Sequence, residues 1–271
     1  MIKKLYPQGK KKALTLSYDD GVLQDVRLVE ILNRYNLKGT FNLNSGLMQD
    51  EFEWTHESGC VIKRLSAMAC TELYKGHEIA SHTLNHPYMY NYNRAQMLAE
   101  LAFDKANLEK TLNIKVVGFA APFDFYSDLL ASCARECGFE YARDSVFSKS
   151  FELSDDFHTL DSTIFHLDDE FDEYVEKFID TDEELASLRI VGHSYDLDIE
   201  NLWEKMEGIL SNLSVHSDII SMTTIDLVRY RKAMNMAQID AKSIKNVSDV
   251  PLWFEVNGEV VTLDENEEYT F

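Results

Sequence analysis

Short apolar segments alternate with segments of helical periodicity along most of this chain. Strand-like runs occupy residues 13–18, 40–43, 78–81, 115–121, 157–160, 189–192 and 219–222. Helix-like runs lie between them, at residues 22–35, 95–112, 128–137, 171–179 and 202–210. Alternation of this kind without a Pro- or Ser-rich linker favours a single parallel, barrel-like sheet wrapped by helices. In such a fold, functional side chains are expected at the carboxyl ends of the strands.

Two regions depart from the alternation. Residues 46–70 form a less regular insertion, and residues 252–263 contain two strand-like runs joined at Asn257-Gly258. Asn-Gly between two such runs is typical of a β-hairpin, because both residues tolerate positive φ. The sequence therefore predicts a barrel domain over residues 1–240 and a C-terminal β-hairpin element over residues 241–271.

The first apolar strand ends in two adjacent carboxylates, in the run Ser17-Tyr18-Asp19-Asp20-Gly21. Adjacent side chains at a strand end point in different directions, so one carboxylate can bind a metal ion while the other faces the activated water as general base. The alternative is that one Asp opens the next helix as its N-cap and the other has no chemical role.

Two histidines four residues apart, His82 and His86, follow the strand at residues 78–81. Neutral imidazole is the commonest protein ligand for zinc and related ions, and two rings at this spacing can converge on one ion. Pro87 disfavours the α conformation at His86, which places the pair on a turn leaving the strand. The alternative is two ordinary histidines at the surface or at the edge of the core.

Two later strands also run into polar or turn residues. Residues 118–123 end in a proline turn, which alone indicates only a loop. Residues 188–196 place His193 at the end of a buried strand, where a lone histidine is more often structural than catalytic.

Taken together and in this order, these segments resemble the polysaccharide deacetylase family, the NodB-homology domain of carbohydrate esterases. The corresponding strings are Ser17-Tyr18-Asp19-Asp20-Gly21, His82-Thr83-Leu84-Asn85-His86, Ala120-Ala121-Pro122-Phe123 and Ile190-Val191-Gly192-His193. The resemblance covers roughly residues 11–230, and the string Gly192-His193-Ser194-Tyr195-Asp196 together with the closing hairpin resembles an atypical branch.

The resemblance implies a deformed (β/α)7 barrel and a divalent metal ion, usually zinc, with cobalt, nickel and manganese as alternatives. It implies that Asp20, His82 and His86 bind the ion. Asp19 would be the general base, and His193 the acid that protonates the departing amine. The remaining candidate contacts to substrate or oxyanion are Pro122, Phe123, Tyr195, Asp161 and His166.

The sequence departs from the family pattern at two motifs. Ala120 stands where the family usually has an arginine that pairs with the base, and the tryptophan-containing fourth motif is not evident. Arg143, just after a strand-like run, is the best-placed substitute for that arginine, and the hypothesis requires its guanidinium within hydrogen-bonding reach of Asp19. The alternatives are a substrate group or an ordered water in the same space. Asp161 and His166 are the candidates for a partner of His193.

Charge and cysteine content bound the function further. The 271 residues include 47 acidic and 26 basic side chains, a formal charge of −21, which argues against nucleic acid and anionic membrane surfaces as partners. No run of signal-peptide or membrane-spanning length is evident, and the spacing of Cys133 and Cys137 on a helix disfavours their pairing. The expectation is a cytoplasmic protein with free thiols.

The predicted function is metal-dependent hydrolysis of an N-acetyl or O-acetyl group on a carbohydrate or small amino-sugar substrate. One alternative is hydrolysis of another linear C–N bond, as in formamides or ureides. The other is a catalytically weak carbohydrate- or metabolite-binding module that keeps the metal.

Overall fold

The computed structural model describes residues 2–48, 52–123 and 125–271. Its strands are β1 (Ile2–Leu5), β2 (Lys12–Asp19), β3 (Thr40–Leu43), β4 (Glu53–Thr55), β5 (Val61–Lys63), β6 (Glu78–Ser81), β7 (Gly118–Ala120), β8 (Tyr141–Phe147), β9 (Leu160–Ser162), β10 (Ile164–Phe165), β11 (Ala186–Gly192), β12 (Ile219–Ser221), β13 (Gln238–Ile239), β14 (Ser243–Lys245), β15 (Leu252–Val256), β16 (Glu259–Leu263) and β17 (Glu268–Thr270). Its helices are α1 (Asp25–Arg34), α2 (Ala67–Leu73), α3 (Arg94–Leu112), α4 (Asp128–Glu136), α5 (Phe171–Asp180), α6 (Ser194–Ile199), α7 (Trp203–Val215) and α8 (Thr224–Met236).

A parallel sheet nearly closes into a barrel, in the order β10-β11-β2-β3-β6-β7-β8-β9, with β12 paired to the start of β2. The barrel edges meet through one short piece of chain, because β9 pairs with β8 while β10, two residues further on, pairs with β11. Counting β9 and β10 as one position gives seven main strands, which confirms the deformed (β/α)7 barrel.

Two neighbouring strands, β2 and β11, pair over seven residues and are buried along their whole length. Their apolar residues, among them Leu14, Leu16, Leu188 and Ile190, belong to the main hydrophobic core. Both strands also contain buried polar residues, among them Thr15, Ser17 and Arg189.

The register of the sheet brings the polar strand ends to one rim. Tyr18 pairs with Gly192 and Leu43 with Ser81, so the residues that follow these pairs leave the barrel side by side. This rim is the carboxyl edge at which the sequence places Asp19, His82 and His193.

Several elements differ from the sequence-based predictions. The predicted strand at residues 157–160 is wrong: Phe157–Thr159 is a 3₁₀ turn, because the Asp156 side chain accepts a hydrogen bond from the His158 N–H, and the strand begins only at Leu160. The helix Ser194–Ile199 directly after His193 was not predicted. The insertion at 46–70 contains the hairpin β4-β5, although residues 49–51 lie outside the described residues.

The predicted C-terminal hairpin is confirmed. Strands β15 and β16 pair in antiparallel register around Asn257 and Gly258, whose φ angles of 53° and 92° match a type I′ turn. Strand β1 completes this sheet by pairing with β15, so residues from both ends of the chain form it. The domain boundary near residue 240 stays a prediction. Within the described chain, no helix is both long and apolar enough to cross a membrane.

Candidate active site

Three side chains at two strand ends form a cluster suited to a metal ion. Asp20 follows β2, and His82 and His86 follow β6. Their candidate ligand atoms all lie within 4.8 Å of one another, with His86 Nε2 3.5 Å from Asp20 Oδ1. One carboxylate and two imidazoles that leave coordination positions open are typical of a catalytic divalent site.

The backbone around the cluster is held in unusual conformations. Asp20, Thr83 and His86 have φ angles of 88°, 70° and 52°, in a region that residues other than glycine rarely adopt. The Asn44 side chain donates to the carbonyls of both His82 and Thr83, which fixes the turn that carries the histidines. Strain of this kind persists only where surrounding contacts enforce it, and it concentrates at functional sites.

Hydrogen bonding and burial hold the histidines in the form that binds metal. The Nδ1 atom of His82 donates to the Ala120 carbonyl at 2.9 Å, which leaves Nε2 free to accept a metal ion. Burial lowers the pKa of His82, and it lowers that of His86 to about 4. Both rings are therefore neutral near neutral pH, as metal ligation requires.

Asp20 is ionised and has a free acceptor atom. Burial would raise its pKa, but the charge of Arg64, together with those of His193, His82 and His86, holds the pKa well below the usual range. Within the described chain, the buried Oδ1 atom accepts no hydrogen bond, although Arg64 Nη2 lies 2.9 Å away. A buried carboxylate oxygen that lacks a donor beside two neutral imidazoles fits a divalent cation.

Arg64 is a site residue that the sequence reasoning missed. It follows β5 in the irregular insertion and donates to the Asp20 carbonyl and to Asn44 Oδ1. Its guanidinium also lies over the Trp54 ring, with the ring centroid 5.3 Å away. No motif marks this arginine, because the hairpin that carries it folds back onto the barrel from outside the β-α alternation.

Asp19 lies beside the metal cluster and pairs with Arg143. The Nη2 atom of Arg143 lies 2.6 Å from both carboxylate oxygens, and Asn42 donates to Oδ1 at 2.7 Å. Burial would raise the pKa of Asp19, but the Arg143 guanidinium, together with His82 and His193, keeps the pKa below its usual range. The contact required of Arg143 as the substitute for the missing arginine is therefore present.

On the other side of the cavity, Asp196 holds His193. The Oδ2 atom of Asp196 accepts hydrogen bonds from His193 Nδ1 and His166 Nε2, both at 3.1 Å. Burial lowers the pKa of His166, so this ring is neutral, and its Nδ1 atom accepts from the Tyr18 hydroxyl at 3.3 Å. The arrangement leaves His193 Nε2 without a partner in the described chain and free to serve a reacting group.

The charge on His193 follows from the same contacts. Burial would lower its pKa, but the hydrogen bond to Asp196 and the charges of Asp20 and Asp19 outweigh burial and raise the pKa to about 9. Asp196 stays ionised, because the two imidazoles overcome the effect of burial and bring its pKa to about 2. His193 is therefore an imidazolium at neutral pH, the form needed by a general acid.

The other residues of the string 192–196 also have structural roles. A Cβ atom at Gly192 would lie 2.5 Å from His166 Nε2, so only glycine leaves room for that ring. Ser194 donates to the buried carboxylate of Asp25, which anchors the start of α6 to the start of α1. Tyr195 donates to Asp20 Oδ2 at 3.3 Å and stacks on the His193 ring.

A cavity of about 310 Å³ at the carboxyl rim is lined by the metal cluster, the Asp19–Arg143 pair and His193. Its wall includes Phe123 and Tyr195, as the sequence predicts, and also Asp144, Phe147 and Phe165, which the sequence reasoning missed. The Phe123 N–H donates no hydrogen bond within the described chain, which suits an oxyanion donor. A larger cavity of about 560 Å³ contains Glu78, at the opposite end of β6 from His82, and holds none of these groups.

Three residues that the sequence predicts as substrate or oxyanion contacts do not line the cavity of about 310 Å³. The Oδ2 atom of Asp161 pairs with Arg189 at 2.8 Å, while its buried Oδ1 atom has no hydrogen-bond partner within the described chain. His166 is buried beside Phe165 and bonds Asp196, which in turn bonds His193, so the structure supports it as an indirect partner of His193 and not as a substrate contact. Pro122 belongs to the turn before Phe123 and is not part of the wall.

Comparison with known sequences identifies the chain's relatives. The sequence model of the polysaccharide deacetylase family matches residues 7–142. Chitin deacetylase 1 of Cryptococcus neoformans var. grubii is 26% identical over 129 residues, which are 47% of this chain and 24% of that protein. The chain thus spans about a quarter of the length of this curated relative.

Solved structures share the fold at low sequence identity. A candidate polysaccharide deacetylase from Mycobacterium smegmatis has a TM-score of 0.61 at 15% identity, covering 86% of this chain and 94% of that one. A family 4 acetyl xylan esterase from Clostridium thermocellum, in complex with a cobalt ion, has a TM-score of 0.55 at 16% identity, covering 81% and 92%. A pseudoenzyme of carbohydrate esterase family 4 from Bacillus anthracis has a TM-score of 0.55 at 15% identity, covering 83% and 68%.

The family match includes the residues of the first half of the site, Asp19, Asp20, His82 and His86, whereas His193 and Asp196 lie beyond it. The nearly closed parallel barrel agrees with the deformed barrel of the structural neighbours. The chain belongs to the polysaccharide deacetylase family.

Proposed function

We propose that this protein is a metal-dependent hydrolase that removes an N-acetyl, or alternatively an O-acetyl, group from a carbohydrate or small amino-sugar substrate. The observation that carries the proposal is one cavity in which the cluster of Asp20, His82 and His86 lies between a carboxylate held by arginine and a protonated histidine. Family membership supports the reaction class, and the names of the relatives point to acetylated polysaccharides.

The proposed metal site consists of Asp20, His82 and His86, and zinc is the expected ion. When bound, a divalent ion makes water nucleophilic near neutral pH and polarises the acyl oxygen. Tyr195 supports this site through its hydrogen bond to Asp20 Oδ2, while Arg64 balances the carboxylate charge.

Asp19 is proposed as the general base. Its carboxylate lies next to the metal cluster, with Oδ2 3.9 Å from His82 Nε2, and remains ionised because of Arg143. Arg143 and Asn42 fix the orientation of the carboxylate, so Asp19 can take the proton of the attacking water without first reorganising.

His193 is proposed as the general acid. Amide hydrolysis needs a proton on the nitrogen before the C–N bond breaks, because an unprotonated amine is a poor leaving group. Asp196 holds His193 as an imidazolium, with Nε2 available to the cavity. The Phe123 N–H is available as a second donor to the developing oxyanion.

Two alternatives remain in view. The same metal cluster, base and acid could hydrolyse another linear C–N bond, because nothing in these groups is specific to an acetyl substituent. A weakly catalytic binding protein is less well supported, since Arg143 provides the counter-charge that the sequence at Ala120 lacks. The pseudoenzyme among the structural neighbours keeps this second alternative open to test.

A cytoplasmic location is also part of the proposal. Cys60, Cys70, Cys133 and Cys137 are all free thiols, which suits a reducing compartment.

The test is turnover of acetylated chromogenic substrates by the purified protein, before and after chelation and again after adding back single metals. We expect chelation to lower the rate by at least about 10²-fold, with recovery on adding zinc or cobalt. A panel of N-acetyl sugars, O-acetyl sugars, formamides and ureides separates the two hydrolase hypotheses. A metal-loaded protein that turns over none of these substrates would favour the binding module.

A further inference from the structure

The cavity contains a third carboxylate that the proposed reaction does not use. Asp144 follows Arg143 on β8, is 5% exposed and lines the cavity together with Asp19 and Asp20. Arg143 directs its Nη2 atom to Asp19, so the cation adjacent to Asp144 in sequence is already engaged.

The three cavity carboxylates differ in their partners. Asp19 is paired with Arg143 and Asp20 with Arg64. Within the described chain, Asp144 forms no ion pair, and its one hydrogen bond comes from the Val146 N–H to Oδ1 at 2.9 Å. Its Oδ2 atom accepts no hydrogen bond there and is not fully buried, so it is accessible to solvent.

An almost buried carboxylate without a cation is unfavourable unless a ligand supplies the missing charge or donor. Burial raises the pKa of Asp144 to about 6, which leaves it mainly ionised at neutral pH. The chain as a whole carries a charge of −21, and such a field attracts cationic ligands and repels anionic ones.

We propose that Asp144 is a specificity-determining residue that binds a cationic ammonium group on the substrate, next to the acyl group that is removed. The inference rests on the proposed function and refines it: the preferred substrate is an amino-sugar oligosaccharide in which a free amine neighbours the acetylated position. Asp144 contacts that amine through Oδ2 and takes no part in the proton transfers.

The experiment measures binding, so it does not depend on turnover. Titration calorimetry compares a disaccharide of glucosamine, which is cationic, with a neutral glucose disaccharide of the same linkage. The variants are Asp144→Asn, which keeps an oxygen for the Val146 N–H, and Asp169→Asn, which removes an exposed charge outside the cavity wall. Charge-assisted hydrogen bonds of this kind change affinity by about tenfold or more.

We expect the wild-type protein to bind the cationic disaccharide more tightly than the neutral one. Asp144→Asn should weaken cationic binding about tenfold and leave neutral binding within about twofold, while Asp169→Asn should leave both within about twofold. Unchanged cationic binding in Asp144→Asn, equal weakening for both disaccharides, or no preference in the wild type would each overturn the inference.

Hydrolysis of acetylated glucosamine disaccharides is measured in parallel to separate the two proposals. If charge discrimination is present but no acetyl group is released, the proposed function fails and the assignment of Asp144 stands. If acetyl release is efficient but indifferent to a neighbouring amine and to Asp144→Asn, the function stands and the assignment of Asp144 fails.

Discussion

Replacing Asp196 by Asn tests the proposed acid catalyst through its pH dependence. His193 has a pKa of about 9, above the ordinary value for histidine, so its protonated form persists at neutral pH and is lost as the pH rises through that value. If His193 protonates the leaving amine, turnover falls as the pH rises through this pKa, which gives the pH profile an alkaline limb. Removing the charge that stabilises the imidazolium should therefore move the limb to lower pH.

The size of the displacement follows from one contact. The hydrogen bond between His193 Nδ1 and Asp196 Oδ2 is 3.1 Å long and joins a cation to an anion. Such bonds are worth about 1.5–3 kcal/mol, and an Asn oxygen keeps part of that as a neutral acceptor, so about 1–2 kcal/mol is lost. At 1.36 kcal/mol per pKa unit, the limb should move down by about one pH unit.

The assay is the pH profile of kcat/KM from about pH 5 to 10.5 on an acetamide substrate. The metal content of the protein is measured at the lowest and at the highest pH. A bound dication offsets the charge of Asp20, so the alkaline limb of the metal-loaded wild-type enzyme lies at or below the His193 pKa of the metal-free chain. The test is therefore the difference between the alkaline limbs of the wild type and the variant. Glu200→Gln, an exposed carboxylate at the end of α6, is the matched control for losing one negative charge. An alkaline limb that stays in place in a folded, metal-replete Asp196→Asn protein would refute the role of the His193–Asp196 pair.

Four further outcomes are expected. His82→Ala should abolish binding of a divalent ion measured by elemental analysis, since one of three ligands is removed; retained stoichiometric metal would exclude the cluster as the site. His193→Ala should keep the metal and lower amide turnover by about 10²–10⁴-fold, with a smaller loss on ester substrates, whose leaving groups need less protonation. Arg143→Met should keep the metal, lower turnover and move the acidic limb to higher pH, because the guanidinium holds the pKa of Asp19 down; an unmoved limb in the pH profile would contradict Asp19 as base. Gly192→Ala should lower the free energy of unfolding by about 1–3 kcal/mol in denaturant titration, because the added Cβ meets the His166 ring; His166→Ala in the same background should relieve that loss.

The sequence predicted the residues at the barrel rim because their positions depend on local pattern. Strand β2 ends at Asp19 and is followed by Asp20, and β6 is followed by His82, so these side chains lie at the carboxyl edge of the sheet. This placement does not depend on distant parts of the chain. The hairpin at Asn257-Gly258 was predictable for the same reason, since its turn type is set by two residues.

Residues whose roles depend on long-range packing were missed or misassigned. Arg64 reaches Asp20 from a hairpin outside the repeating pattern, 44 residues further along the chain. His166 was predicted as either a partner of His193 or a substrate contact. The Phe165 side chain lies in the cavity wall, and the His166 ring bonds Asp196, which also bonds His193. Periodicity describes which face of an element is buried and does not say which polar groups meet across the fold.

Arg143 makes with Asp19 the ion pair that the resemblance to the family pattern leads us to expect from an arginine at position 120. Ala120 and Arg143 are paired partners on the neighbouring strands β7 and β8, so the cation comes from the adjacent strand at the same level of the barrel. Ala120 is completely buried, and its carbonyl accepts the hydrogen bond from His82 Nδ1, so a small side chain there leaves room for the guanidinium that comes from the adjacent strand. From β8, the Nη2 atom of Arg143 contacts both carboxylate oxygens of Asp19, so the cation is present without an arginine on β7. The proposed base therefore keeps a cation although position 120 lacks an arginine, and loss of the guanidinium at position 143 is the change expected to disable it.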